Sequence, residues 1–232
     1  MKKFMLCAIL ILSVLMVYSP AATVMDNFND GVIGSSWQVS TANGGSVNEI
    51  NGCLKQTTVN GVRGSQAYLK SNFGLQGNFD AMIDFSLIAF SDYWSSACLT
   101  VSLDENNWMG IYISYSGDHR KHYETTYAVN GVENPAGYVY TPPLDINQGR
   151  LRLSRSGSDI TAYYWAGSDW NTLMTRTVSD ELAKFSFHAM NDGLQGSAPF
   201  VEVHWDNFIA IPEPCTLALL GLGGLLLRRR NK

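Results

Sequence analysis

Phe79-Asp80-Ala81-Met82-Ile83-Asp84-Phe85-Ser86-Leu87-Ile88-Ala89-Phe90 decides the fold class of this chain. Phe79, Ala81, Ile83, Phe85, Leu87 and Ala89 alternate with Asp80, Met82, Asp84, Ser86, Ile88 and Phe90. An apolar residue at every second position is the period of a half-buried β-strand, not of a helix. A strand of this length with one apolar face needs a second layer to cover it.

The segments downstream repeat the signal. Residues 98–103 and 108–115 read as strands separated by the turn Asp104-Glu105-Asn106-Asn107, and 123–129 closes on Asn130-Gly131, a strong hairpin dipeptide. Leu151 and Leu153 point one way while Arg150 and Arg152 point the other. Ser156-Gly157-Ser158-Asp159 then turns the chain into 160–165, and Ala166-Gly167-Ser168-Asp169 turns it again before 173–178. Ser179 and Asp180 suit the capping of one helical turn over 180–184. Residues 185–190 and 199–209 are the last predicted strands. Turn signals recur about every 8–12 residues, which suits an all-β, two-sheet antiparallel sandwich.

Both ends of the 232-residue chain read as address signals. Lys2 and Lys3 precede an apolar run over 4–18 and the small-residue zone Ser19-Pro20-Ala21-Ala22, the pattern of a cleaved export signal over residues 1–22. At the other end, Pro212-Glu213-Pro214 precedes a short apolar run over 216–227 and the cluster Arg228-Arg229-Arg230-Asn231-Lys232. Twelve residues of helix reach roughly 18 Å, well short of the ~30 Å hydrocarbon core, and the terminal arginines hold that end on the cytoplasmic side. This tail resembles the PEP-CTERM sorting signal of bacterial envelope and extracellular-matrix proteins. The resemblance implies an exosortase-type processing enzyme and the secretion machinery as partners, and transient membrane association before release. It assigns Pro212, Glu213, Pro214, Arg228, Arg229 and Arg230 to sorting. The expected organisation is a signal peptide over 1–22, a sandwich over 23–210 and a sorting signal over 211–232, with a helix in each end segment.

Charge narrows the partners. The formal net charge is −4, but six of the 16 Lys and Arg lie in the end segments (Lys2, Lys3, Arg228, Arg229, Arg230, Lys232) against only Glu213 of the 20 Asp and Glu. The body between them is therefore near −9, which disfavours nucleic acid and anionic membrane surfaces and suits neutral ligands. Cys53 and Cys98 are the cysteines of the body, and outside the cytosol they are a candidate disulfide pair.

Asp26-Asn27-Phe28-Asn29-Asp30-Gly31 followed by Trp37 opens the body, and His204-Trp205-Asp206-Asn207-Phe208 closes it. Together with residues 150–155, Thr161-Ala162-Tyr163-Tyr164-Trp165 and Gly167-Ser168-Asp169-Trp170, this pattern resembles the concanavalin A-like lectin/glucanase superfamily. The resemblance implies a jelly roll that pairs its first and last strands and carries glycan on a concave sheet.

Aromatic rings stack on the C–H faces of sugars while polar side chains hydrogen-bond the hydroxyls. Tyr163 and Trp165 share the face opposite Ile160, Ala162 and Tyr164, beside Arg150 and Arg152, and form the preferred glycan platform. Trp94 and Trp108, near strand ends, are added candidates, whereas Trp37 and Trp205 belong to the expected core.

Catalysis is not expected. Laminarinase-type relatives carry Glu-x-Asp-x-x-Glu on one strand, and this chain has no such motif. Asp80 and Asp84 share a face, as do Glu202 and Asp206, yet four residues of strand separate each pair by about 13 Å, too far for paired carboxyl chemistry. No alginate-lyase-like Tyr, His and Arg pattern is recognisable. Asp26, Asp30 and Asp206 are candidates for a structural calcium, and the alternative use of such side chains is turn hydrogen bonding. Asp118-His119-Arg120-Lys121-His122 reads as a solvated charged loop. The functional expectation is a glycan- or matrix-binding envelope or extracellular protein. The alternatives are a structural matrix protein without a discrete ligand and, third, a glycoside hydrolase or polysaccharide lyase.

Overall fold

The computed structural model describes residues 22–90, 95–115, 121–139, 146–192 and 196–212. Among the described residues fifteen strands fall into two antiparallel sheets and there is no helix. Sheet I runs in the order β13 (Trp170–Thr177), β12 (Asp159–Trp165), β11 (Gln148–Ser156), β6 (Phe79–Ala89), β15 (Glu202–Pro212), β4 (Cys53–Thr57) and β3 (Ser46–Ile50), with β1 (Val24–Asp26) beside β15. Sheet II runs β10 (Val132–Val139), β9 (Lys121–Val129), β8 (Trp108–Tyr115), β7 (Ser95–Ser102), β14 (Lys184–Asn191), β5 (Gln66–Ser71) and β2 (Trp37–Ala42). The chain passes repeatedly from one sheet to the other, as a jelly roll does. β1 and β15 pair with Val24 opposite Ala210 and Asp26 opposite Phe208, so the first and last strands are neighbours as the superfamily resemblance implied.

Alternation builds the core. Phe79, Ala81, Ile83, Phe85 and Leu87 of β6 face inward against Leu99, Val101, Met109, Ile111 and Ile113 of sheet II, all of them buried. At one end Phe28, Trp37, Phe187 and Phe208 interlock, with the Trp37 ring 5.2 Å from Phe187 and 5.3 Å from Phe208. At the other, Tyr123 and Tyr164 stack across the sandwich with centroids 4.6 Å apart. Asn130 and Gly131, at φ 54° and 76°, make the two-residue connection between Val129 and Val132. Two consecutive left-handed residues give the turn whose twist matches a hairpin, which is why Asn-Gly serves there.

Polar side chains fasten the layers. Gln56, fully buried on β4, accepts a hydrogen bond from Trp205 Nε1 at 2.7 Å and donates to the Phe187 carbonyl of sheet II at 3.1 Å. Asn191 is also fully buried and donates through Nδ2 to Thr58 Oγ1, Val59 O and Pro199 O at 2.7–3.1 Å. Arg155 donates to the carbonyls of Gly77, Glu181 and Leu75 at 2.5, 2.6 and 3.1 Å.

Several sequence-based expectations are corrected. The helical turn over 180–184 does not form. Arg155 claims the Glu181 carbonyl, and Ala183 bridges to Leu75 in both directions at 2.9 Å, which holds the segment extended. Cys53 and Cys98 are free thiols on different sheets. Both lie on outward faces of layers packed about 10 Å apart, beyond the reach of a disulfide. Asp26, Asp30 and Asp206 do not converge, and no metal-binding cluster is found among the described residues. Asp26 accepts from Phe28 N and Trp37 Nε1, Asp30 from Val32 N and Asp206 from Asn207 N, so each serves local structure. His122 is not in a solvated loop: it is a buried residue of β9 paired with Glu124. The export signal through residue 21, His119 and the tail from Glu213 onward lie outside the described residues. Pro212 is the last residue of β15, opposite Phe79.

Candidate functional site

Sheet II is unusual on its outward face. Ala97, Leu99 and Val101 of β7 point into the core, so Ser96, Cys98, Thr100 and Ser102 point away from it. By the same alternation His188 on β14, Tyr68 on β5, Tyr112 on β8 and Glu124 on β9 are outward residues. Strand register aligns them. Tyr68 pairs with His188, His188 with Cys98, Cys98 with Tyr112 and Tyr112 with Glu124, giving one transverse row across five strands. A second row runs Gln66, Met190, Ser96, Ser114 and His122 alongside it.

These outward groups are nonetheless enclosed. Cys98 has no exposed surface, while His122, His188, Ser96 and Ser114 are all 9% exposed or less. The His188 ring lies between Tyr68 and Tyr112, with centroids 4.8 and 5.6 Å away. Tyr112 fits because position 110 is glycine. A Cβ there would stand 2.7 Å from Tyr112 Cε2 and 3.3 Å from Cys98 Sγ.

The electrostatics of the row follow from burial. Desolvation, aided by the Lys70 charge, lowers the His188 pKa to about 4, so its imidazole is neutral at pH 7. Burial pushes the Cys98 thiol up to about 12, against its hydrogen bond with Thr100 Oγ1 at 2.8 Å. That thiol is inert. Burial works against ionisation of Glu124 too, but hydrogen bonds from His122 and Ser114 outweigh it and hold the carboxyl below its ordinary range.

Two groups on this face are unanswered. His188 Nε2 and Ser96 Oγ are buried and have no hydrogen-bond partner. Native interiors satisfy nearly all such atoms, so both are exceptions; His188 lies between the two tyrosine rings and Ser96 in the adjacent row, opposite Met190 and Ser114.

The expected glycan platform lies on the other side of the molecule. Arg150, Arg152, Tyr163 and Trp165 do share the outward face of sheet I, and Arg152 is directly opposite Tyr163. The arginines are heavily engaged, however. Arg152 forks onto both carboxyl oxygens of Asp80 at 2.7 Å, and its guanidinium lies 4.9 Å from the Tyr163 ring and 5.6 Å from Trp170. Arg150 binds Asp84 in the same two-pronged manner. Trp165 packs edge-on against Trp170 at 5.3 Å and borders an open groove of about 830 Å³. Trp108 belongs to the outward face of sheet II, opposite Ser102 and Ala128, and so is not part of this platform. Trp94 lies outside the described residues.

The backbone has known counterparts. Bacillus licheniformis β-glucanase superposes with a TM-score of 0.61 at 13% identity, covering 84% of this chain and 99% of that one. A legume lectin-like domain from Entamoeba histolytica gives 0.55 at 13% identity, covering 79% and 98%. The fold is one that lectins and glucanases share. Bacteroides ovatus xyloglucan PUL GH43B gives 0.63 at 14% identity, and this chain, 83% covered, spans 40% of that protein's length. The sequence matches no protein-family model and no curated protein.

These neighbours overturn the expectation that the protein lacks enzymatic activity. A β-glucanase and gut-microbial O-glycanases share this sandwich along nearly their whole length, and a GH43 protein shares it over 40% of its length. The missing Glu-x-Asp-x-x-Glu describes a single strand, whereas a reacting pair can be assembled across strands. The fold leaves catalysis open.

The outward row of sheet II is not legible along the sequence. Its members are scattered between Tyr68 and His188, and only the pairing register brings them together. One signal was available: β7 reads Ser-Ser-Ala-Cys-Leu-Thr-Val-Ser, small and polar where a solvated face would carry long charged residues.

Proposed function

We propose that this protein is an exported, exosortase-sorted β-sandwich that binds a neutral glycan on the outward face of sheet II. The observation that carries the reading is the pair of half-buried tyrosines, Tyr68 and Tyr112, that flank the neutral His188 ring on this face. A sugar ring can lay its C–H face on such tyrosine rings, the contact that gives uncharged sugars their stacking area. A neutral imidazole and an overall acidic body favour uncharged sugars over polyanions.

Affinity gel electrophoresis against soluble mixed-linkage β-glucan, xyloglucan and galactomannan tests the reading. Wild-type protein is retarded by at least one of them, and Tyr68→Ala weakens that retardation about tenfold while the melting temperature holds. Release of reducing ends is read in the same samples, since the fold is shared with hydrolases. No retardation on any of the three polymers overturns the glycan reading. Export and sorting are tested separately, by end-sequencing protein recovered from the envelope and medium. Full-length, uncut chain confined to the cytosol overturns that part.

A further inference from the structure

Sheet I carries a groove of its own, on the side of the sandwich facing away from the row just described. Its larger lobe, about 830 Å³, is lined by Asp84, Gln148, Arg150, Trp165, His204 and Asp206 among others. A second lobe of about 450 Å³ adjoins it, bordered by Met25, Met82 and Ile209, and the two share Arg150 and Asn207. Together they cross sheet I from β12 through β11, β6 and β15 to β1. Four strand spacings make this path about 19 Å long. That is a track for a linear chain lying across the strands rather than a pit for one small molecule.

The charges of the track are settled within the protein. Arg150 is cancelled by Asp84, while Lys55 and His204 both bind Glu202. Among the described residues no cation pairs with Asp206, so the groove carries a residual negative charge that repels polyanions. What it offers is planar hydrogen-bonding side chains, Gln148 and Asn207, beside an indole, the combination that suits an uncharged polyol chain.

The two surfaces face opposite ways because each is the outer side of one layer of a two-layer body. A single stiff polysaccharide strand cannot lie along both. We propose that the protein is bivalent: the sheet I groove holds one strand of neutral polysaccharide while the outward face of sheet II holds another, so that each molecule cross-links two strands. This rests on the reading of sheet II given above. It adds a mechanical role, since linking polymer strands stiffens a matrix without any need for the protein to form oligomers. Two joined sites also give avidity on a shared polymer network.

The test adds full-length protein to mixed-linkage β-glucan, xyloglucan and galactomannan, and measures low-shear viscosity beside gel retardation. Viscosity rises at least twofold with wild-type protein, passes through a maximum and falls at excess, the signature of a two-armed linker. Ser86→Arg, which fills the groove from its floor, and Trp165→Ala both lose the viscosity rise and keep a weaker retardation that sheet II alone supplies. If wild type is retarded without raising viscosity, or if both groove variants thicken the polymer as wild type does, bivalence is overturned and the sheet II reading stands. If Tyr68→Ala is retarded as strongly as wild type while the groove variants are not retarded at all, the sheet II reading fails and the groove alone binds. Absence of retardation on all three polymers removes both.

Discussion

Trp205 Nε1 and Gln56 Oε1 meet at 2.7 Å in the interior of the sandwich, and the same glutamine donates to the Phe187 carbonyl of the opposite sheet. The amide is therefore a rivet through both layers. Each of its partners loses its bond if it is removed, and buried orphans cost about 1–3 kcal/mol each.

Gln56→Leu is expected to lower stability by about 2–4 kcal/mol, read as a shift of the urea midpoint at unchanged slope. Combining it with Trp205→Phe removes the stranded indole N–H. The double variant then falls short of the sum of the single losses by at least about 1 kcal/mol. Simple additivity would show that the two side chains do not act as a pair.

Arg155 makes a stronger prediction. It is fully buried, sits 5.0 Å from the Phe79 ring, and has as its closest carboxylate Asp180, 4.0 Å away and itself largely exposed. Burial lowers its pKa, but the three backbone carbonyls, not an ion pair, hold the guanidinium. Arg155→Met leaves those carbonyls stranded and costs about 3 kcal/mol or more, whereas Asp180→Asn costs little. Equal effects of the two substitutions in chemical denaturation would refute this division.

His188 gives a pH dependence with a fixed sign. Its folded pKa, about 4, lies below the 6.5 of an unperturbed imidazole, so the unfolded chain binds the proton more readily. Its contribution is complete above pH 6.5 and is lost as pH falls from 6.5 toward 4, by up to about 3 kcal/mol. His188→Gln flattens that limb of the stability profile. An unchanged limb in the variant would assign the acid sensitivity to other groups.

The two body thiols should differ in reactivity. Cys98 is inaccessible with its pKa near 12, while Cys53 is half-buried on the outer face of sheet I, its pKa raised by burial and by Asp206. Alkylation of native protein followed by peptide mapping is expected to label Cys53 slowly and Cys98 only after unfolding. Reducing agent leaves the melting temperature unchanged. A mapped peptide joining the two cysteines would contradict the free-thiol arrangement.

Gly110→Ala tests the packing of the tyrosine row. The added methyl lands 2.7 Å from Tyr112 Cε2 and must push aside a ring that packs against His188. Glycan retardation is expected to weaken severalfold with a small change in melting temperature. Unaltered retardation would separate Tyr112 from ligand binding.

Legibility from sequence followed burial asymmetry. β6 is legible because its residues alternate buried and half-buried, and a weaker form of the same contrast marks β8 at 108–115. β2 gave nothing, since only Trp37 of its six residues is buried, the profile of an edge strand with no apolar period. β3, the opposite edge, was silent for the same reason. β7 hid its outward face because that face is enclosed too, so the two sides do not contrast. The Tyr163 and Trp165 face was correctly separated from Ile160 and Ala162, but the pairing of Arg152 with Asp80 depends on β11 lying beside β6. Cross-strand neighbours are set by topology, and one strand's period carries no trace of them. The same blindness produced the disulfide candidate.

The pairing of Val24 with Ala210 puts the beginning and the end of the folded body at a single pole. A pull applied through both ends would load the bonds of the three-residue β1 one after another, as a zip opens, rather than all at once in shear. A molecule strained between its two termini would yield at low force, shedding β1 first. One strained between its broad faces would instead present the whole sandwich to the load, and only that second direction is braced by Gln56.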